Sequence, residues 1–255
     1  MGSALLGGIL RSRSAGEVSV SAYDAYAPSV ESLVEAFPGQ VHGAASLPAL
    51  VAASDIVFLC VKPNDVNTAL QTVSDWSDTL LLSIAAGVTV QQLTEATAGQ
   101  ARVIRVMPNT PAMIGEAASA YCRGASVTDA DATHAEDLLG SVGTVSEVKE
   151  PLMNAVTGLS GSGPAYVYTI IEALTDAGVK QGLARPVALQ LAVQTVKGAA
   201  MLVEESGEHP AVLRDQVTSP GGTTIAGVAA LEELGLRHSL ITAVQVATQR
   251  SAELG

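Results

Sequence analysis

The feature that most constrains the fold is a change of pattern partway along the chain. In the first part, the runs Asp55–Val61, Leu80–Ala85 and Arg102–Val106 are short and apolar, as expected for strands buried on both faces of a parallel sheet. Helical patterns at Val66–Val73 and Val90–Thr97 lie between these runs. This alternation of strand and helix is typical of a doubly wound α/β sheet.

Further elements extend this region in both directions. The sequence predicts a helix from Met1 to about Leu10, a strand at Val18–Ala22, a helix at Pro28–Phe37, and two strands that complete the sheet at Ala118–Cys122 and Gly143–Val148.

After Pro151 the pattern becomes helical throughout, which places a domain boundary between residues 150 and 151. One predicted helix contains Val187–Val203, which is apolar around most of its circumference and exceeds what a small helical domain can bury. Because Gln190, Gln194 and Lys197 interrupt it, a subunit interface is expected rather than a membrane span. In all, this region is predicted to contain four helices, at Pro164–Ala177, Pro186–Glu205, Thr224–Leu234 and Ser239–Leu254.

Charge and composition exclude several functions. The formal net charge of −12 argues against nucleic acid or an anionic membrane as a partner, because both require concentrated Lys and Arg. The four histidines have no metal-ligand spacing and form no recognisable catalytic triad, so no metal is expected. Cys60 and Cys122 are predicted to be buried, reduced thiols. Without a recognisable secretory signal, a cytoplasmic location is expected.

The start of the chain resembles part of a nucleotide-binding loop. Met1–Leu6 resembles the end of a G-x-G-x-x-G loop running into its helix, and an ordinary first helix is the alternative. Asp24 follows the first predicted strand, where an acidic residue can bind an adenosine ribose and repel a 2′-phosphate. This favours NADH slightly over NADPH, although a solvated loop carboxylate is an equal alternative.

Three small or rigid loops follow the buried strands at their carboxyl ends, where open α/β sheets bind ligands. They are Val61-Lys62-Pro63, Ala85-Ala86-Gly87 and Met107–Pro111, the last of which contains Asn109. Together these three loops predict a cofactor-binding site at the carboxyl ends of the strands.

Two glycine-rich segments in the helical part precede predicted helix starts. Leu159–Pro164 and Ser219–Thr224 each place hydroxyls and glycine amides where an anion can bind. Either segment alone fits a flexible, capped loop, but the occurrence of both favours an anion site.

These motifs together resemble the pyrroline-5-carboxylate reductase family across essentially the whole chain. The strings are Val61-Lys-Pro, Ala85-Ala-Gly-Val, Arg105-Val-Met-Pro-Asn-Thr-Pro, Ala155-Val-Thr-Gly-Leu-Ser-Gly-Ser-Gly-Pro-Ala and Val217-Thr-Ser-Pro-Gly-Gly-Thr-Thr. The resemblance implies a Rossmann-like α/β domain at 1–150 and an all-α dimerisation and substrate-binding domain at 151–255. It also implies a homodimer, often assembled into a ring of dimers.

The activity that the resemblance implies is reduction of L-1-pyrroline-5-carboxylate to L-proline by NADPH or NADH, the last step of proline biosynthesis. Thr224 would bind the ring nitrogen and Lys62 would supply an orienting charge. The substrate carboxylate would be bound by the partner subunit's copy of Ser219, Gly221, Gly222, Thr223 and Thr224. The expected cofactor contacts are Met1, Gly2, Asp24, Cys60, Val61, Lys62, Pro63, Ala85, Ala86 and Asn109.

The sequence departs from the family at its beginning, where members carry a strand and a G-x-G-x-M-G loop. Here Met1 occupies the position of the loop methionine, so a sheet without its first strand and weakened pyrophosphate binding are expected. One alternative is therefore a cofactor-incompetent oligomerising protein. Another is a β-hydroxyacid dehydrogenase, but the predicted helix Pro164–Ala177 lacks that family's catalytic lysine, and Lys180 lies beyond its predicted end.

Overall fold

The strands of the computed structural model, which describes residues 1–12 and 18–254, form one sheet of five strands and one of two. All predicted strands are present, with bounds that differ by a few residues. The short strand at Val41–Gly43 was not predicted. The strands are β1 (Val20–Ala22), β2 (Val41–Gly43), β3 (Ile56–Leu59), β4 (Leu80–Ser83), β5 (Arg102–Met107), β6 (Ala117–Arg123) and β7 (Gly143–Glu147).

The larger sheet has the order β3-β4-β5-β6-β7, and β1 pairs only with β2 among the described residues. Every pairing is parallel except β5 with β6. The connection from β5 to β6 contains a 3-10 turn at Thr110–Ile114 but no crossover helix, which explains why these two strands run antiparallel.

Helices cover both faces of the larger sheet. On one face, Leu81 and Val103 pack in a cluster with the buried Trp76; on the other, Leu80 and Leu82 pack in a cluster with Tyr121. Burial on both faces explains the continuous apolar runs in the sequence. The helices of this region are α1 (Gly2–Ser12), α2 (Ala27–Ala36), α3 (Leu47–Ala52), α4 (Val66–Leu70), α5 (Val90–Ala96), α6 (Asp129–Gly140) and α7 (Met153–Val156).

Three of these helices, α3, α6 and α7, were not predicted from the sequence. The α6 segment, DADATHAEDLLG, has few large apolar residues. Its start is instead fixed by a capping box, in which Thr128 and Asp131 exchange hydrogen bonds between side chain and backbone.

The remaining chain is helical, as predicted. The first helix is longer than expected and ends at Lys180, so the prediction that Lys180 lies beyond its end is wrong. The predicted helices are joined by one that was not foreseen, α10, which starts at Pro210. The helices are α8 (Gly163–Lys180), α9 (Arg185–Ser206), α10 (Pro210–Gln216), α11 (Thr223–Glu233) and α12 (Leu236–Leu254).

The chain divides into two compact units. The first contains Met1–Ser162 and Val246–Gly255, and the second contains Gly163–Gln245. We call them the sheet unit and the helical unit. In the helical unit, only Thr175, Ala188 and Ala192 are buried. They lie along α8 and α9, where a Cβ on Gly178 would come within 3.0 Å of the Ala188 side chain.

Helix α9 leaves most of its apolar surface uncovered within one chain. Among the described helices, it alone is long and apolar enough to cross a membrane by length and composition. Its most apolar 18-residue stretch has a mean hydropathy of 1.3, and 11% of that stretch is buried. A single helix that meets this test does not assign a membrane span.

Candidate active site

The loop after β3 exposes a lysine in a fixed backbone conformation. Lys62 is extended (φ −64°, ψ 151°), as a residue before proline prefers, and Pro63 starts a 3-10 turn over Pro63–Asp65. The Asp65 amide donates to the Lys62 carbonyl oxygen at 2.9 Å. Lys62 pairs with no carboxylate among the described residues, so its charge is available to a ligand.

The loop after β4 is built from small residues. Ala85 is buried and its amide donates to Ser83 Oγ, whereas Ala86 is exposed. Gly87 has a φ of +80°, a left-handed conformation that favours glycine. The loop therefore turns tightly at the sheet edge and leaves space above Ala86.

The start of α1 lies against the end of β3. A Cβ on Gly2 would come within 3.0 Å of Cys60 Cβ and 3.2 Å of Cys60 Sγ. The amides of Gly2 and Ser3 have no partner within the helix, because the first intrahelical bonds come from Ala4 and Leu5. Free amides at a helix start fit a phosphate group, so these residues suit a dinucleotide cofactor.

The two cysteine thiols of the chain differ in their exposure to solvent. Cys122 is buried as predicted, but the prediction of burial is wrong for Cys60, which is exposed because it follows the last residue of β3 at the sheet edge. Protein atoms around its sulfur still desolvate it and raise the pKa of the Cys60 thiol to about 11. Both cysteines are free.

Asp24 lies just beyond the end of β1 and is exposed. Its Oδ1 accepts a hydrogen bond from the Tyr26 amide at 2.8 Å, which closes the turn before α2. This contact fixes the carboxylate at the edge where a ribose was predicted to bind.

Asn109 is bound on both sides of its amide group. It is 7% exposed; its Nδ2 donates to the Ser160 carbonyl oxygen at 3.0 Å, and its Oδ1 accepts from the Ala118 amide at 3.0 Å. These contacts join the loop after β5 to β6 and to the segment before α8. The observed role of Asn109 is therefore structural, and its predicted cofactor contact stays a prediction.

The segment Leu159–Pro164 differs from its prediction as a glycine loop before a helix. Thr157–Gly161 forms a π-helical turn that continues α7, and the Ser162 amide donates to the Thr157 carbonyl oxygen at 2.9 Å. The loop predicted at this segment is therefore wrong and the Ser162 amide has a partner, whereas the anion site predicted there stays a prediction. A Cβ on Gly161 would meet the methyl group of Met107, which explains the glycine there.

Ser219–Thr224 does form a glycine turn before a helix. The Gly222 amide donates to the Ser219 carbonyl oxygen at 3.1 Å, and Gly221 has a φ of +66°. With Pro220 before Gly221, this is the residue pattern of a type II turn. A Cβ on Gly222 would collide with Ser219 Oγ, so the turn requires glycine at this position also.

The end of this turn is the start of α11, where several hydrogen-bond donors have no partner within the helix. The first amides of the helix have no partner inside it, and Gly222 has no side chain to cap them. Thr224 is half-buried and Thr223 is exposed, and neither hydroxyl bonds to a described residue. The arrangement suits a carboxylate at the amides and a polar ligand atom at a hydroxyl.

Among the described residues, no cluster of three or more His, Cys, Asp or Glu side chains could hold a metal ion.

Both parts of the chain match models of known protein families. Residues 1–87 match a model described as NADP oxidoreductase coenzyme F420-dependent, and residues 150–254 match the pyrroline-5-carboxylate reductase dimerisation model. The fold and these matches define a nicotinamide-dependent oxidoreductase with a Rossmann-like domain and a helical dimerisation domain, which confirms the predicted fold class.

Relatives match the chain from end to end. The chain is 42% identical to the pyrroline-5-carboxylate reductase of Methanosarcina acetivorans and 39% identical to that of Escherichia coli, in each case over 100% of the chain and 94% of the relative. The structure of Plasmodium falciparum pyrroline carboxylate reductase with NADP bound matches with a TM-score of 0.86 at 32% identity, covering 100% of this chain and 94% of the other. The chain belongs to the pyrroline-5-carboxylate reductase family, which decides against the β-hydroxyacid dehydrogenase hypothesis.

Proposed function

We propose that this protein reduces L-1-pyrroline-5-carboxylate to L-proline with NADPH or NADH. The observation that carries the proposal is the turn Ser219–Gly222 at the start of α11, whose free amides and two threonine hydroxyls suit a small carboxylate with a ring nitrogen. The whole-length similarity to reductases of this name supports it.

The proposed division of labour places dinucleotide binding at 1–150 and dimerisation with substrate binding at 151–255. The dimerisation-family match, which starts at residue 150, supports that boundary. The compact units divide the chain after Ser162, and the last helix belongs partly to the sheet unit, so the functional boundary and the packing boundary differ.

For the cofactor, we propose contacts from residues at the carboxyl edge of the sheet. The free amides of Gly2 and Ser3 would bind a phosphate, with Met1 and Cys60 beside them. When bound, the cofactor supplies the hydride that reduces the imine carbon. The remaining proposed contacts are Asp24, Val61, Lys62, Pro63, Ala85, Ala86 and Asn109.

For the substrate, the start of α11 in the partner subunit would hold the carboxylate and so orient the ring. The Thr224 hydroxyl of the partner subunit would bond to the ring nitrogen, and the exposed ammonium group of Lys62 would add an orienting charge. Solvent can protonate the nitrogen, so the chain contributes mainly orientation and fixed dipoles to catalysis.

The assembly that we propose is a homodimer, with a ring of dimers as its extension. The near absence of buried residues in the helical unit supports dimerisation, because such a surface needs a partner. We also propose a cytoplasmic location, which fits two cysteines that remain free thiols.

The test of the site is replacement of Thr224. The variant T224A should lower kcat/KM for pyrroline-5-carboxylate about 10- to 100-fold, the effect of one lost hydrogen bond to a charged group, while cofactor binding by fluorescence titration stays unchanged. T224S keeps the hydroxyl and should retain most activity. Unchanged turnover in T224A would refute this role, and an inactive wild-type chain would favour the cofactor-incompetent oligomer.

A further inference from the structure

One carboxylate outside the predicted site joins two distant segments of the sheet unit. Glu150 Oε1 accepts a hydrogen bond from the Val90 amide at 2.7 Å and lies 3.5 Å from Nη1 of Arg105. Val90 is the first residue of α5, and Arg105 lies on β5. A single oxygen therefore contacts both a helix start and a cation.

The need for this carboxylate comes from the burial of Arg105. The Arg105 side chain is 6% exposed, and Glu150 is its only carboxylate partner among the described residues. The start of a helix carries partial positive charge, so the guanidinium and the start of α5 share one counter-charge. Without it, a buried cation would lie unpaired near the positive end of a helix, which is costly.

The position of α5 matters because the loop Ala85–Gly87 runs directly into it. The β4 end of this loop is held by sheet hydrogen bonds with β3 and β5. At the other end, the capping box of Thr89 and Gln92 orders the first turn of α5 locally. The side chains of Val90 and Leu93 pack in the apolar cluster that contains Val103 of β5, and the contact of Glu150 with Val90 adds a polar tie from that turn to Arg105.

We propose that Glu150 is a positioning residue for the cofactor loop Ala85–Gly87, with Arg105 holding its carboxylate in place. The loop's part in cofactor binding rests on the proposed reductase function. The positioning itself rests on the two contacts of Oε1.

The experiment compares E150A, E150Q and the control E95Q, which removes a carboxylate from the exposed side of the same helix. Two measurements are made: steady-state kinetics with NADPH and NADH, and hydrogen exchange of the amides of residues 84–90 without cofactor. E150A should raise the cofactor KM about tenfold, leave kcat within about twofold, and accelerate exchange in this segment. E150Q keeps an acceptor for Val90 but leaves Arg105 without a counter-charge, so it should restore only part of both, whereas E95Q should match the wild type.

Two results would overturn the proposal. One is wild-type KM and exchange in E150A; the other is accelerated exchange spread equally over β3, β4 and β5, which would indicate general destabilisation. If E150A does not fold, the double variant E150M/R105M removes the acceptor and the buried charge together, and it should show the same local acceleration. Because exchange needs no cofactor, an inactive wild-type chain would refute the reductase function and still leave the Glu150 result readable.

Discussion

The two units of this protein bury their apolar residues to very different degrees. The sheet unit encloses large side chains such as Trp76, Tyr121 and Leu82 with almost no exposure. The helical unit buries two alanines and one threonine, while Leu191 and Leu202 remain about half exposed. The sheet unit therefore has a core within one chain, and the helical unit requires a surface from elsewhere.

This difference separates two sources of stability. Burial within one chain contributes a free energy that does not depend on protein concentration, whereas burial between chains does. The sheet unit also contains the sole tryptophan of the sequence, Trp76, so tryptophan fluorescence reports on that unit alone. The following variants test the comparison, from the largest expected effect to the smallest.

The largest effect is expected from L191E on α9. In a symmetric dimer each substitution is present twice, and burying two carboxylates should weaken association about a thousandfold or more. Light scattering should then show monomers at micromolar concentration, while Trp76 fluorescence stays native. Q194E adds the same charge to the same helix at an already polar position and should remain assembled. An L191E protein that stays dimeric would show that α9 is not the interface.

A smaller effect, confined to the sheet unit, is expected from D24N. Asparagine can still accept the hydrogen bond from the Tyr26 amide, so the substitution removes the charge and keeps the turn. The sequence has no Lys or Arg between Arg13 and Lys62, which leaves the acidic side chain without a nearby cation in sequence. The ratio of kcat/KM for NADPH to that for NADH should rise about tenfold as repulsion of a 2′-phosphate is relieved.

The control for D24N is E31Q, which removes a charge from the following helix α2. It should leave the cofactor ratio unchanged, and neither variant should alter the oligomeric state. A ratio that does not change in D24N would assign Asp24 to the turn alone.

The sequence predicted the elements of both units whose patterns are local. Leu80–Ala85 identifies β4 because burial on both faces makes a strand continuously apolar. Ser219–Thr224 identifies its turn because proline and glycine fix backbone angles by themselves. In contrast, α6 was missed because its apolar residues are few, although the capping box of Thr128 and Asp131 is a local signal that could have marked its start.

Parts of the site that depend on distant contacts could not be predicted. The π-helical turn at Thr157–Gly161 accepts a hydrogen bond from Asn109 and packs near Met107, whereas its glycines by themselves predict a loop. Glu150 was overlooked because its partner Val90 is 60 residues away in sequence. A pattern within a short window contains no information about such pairs.

The smallest effect is expected from D131N, at the start of α6 in the sheet unit. Desolvation disfavours the Asp131 carboxylate, but hydrogen bonds from Thr128 and the charge of Arg102 outweigh it, so the pKa of Asp131 lies below its ordinary value. A lowered pKa means that ionised Asp131 stabilises the fold above the ordinary pKa of about 4, and that this stability is lost as the pH falls through the folded-state value. D131N should therefore lower the free energy of unfolding at pH 7 by about 1 kcal/mol, and the difference should shrink towards pH 3. Urea unfolding followed by Trp76 fluorescence measures this difference in the free energy of unfolding, and D129N, at a fully exposed carboxylate of the same helix, should change stability less.

Because the contacts of Asp131 lie within one chain, the difference should be the same at low and high protein concentration. A dependence on concentration would show that the sheet unit, too, relies on assembly.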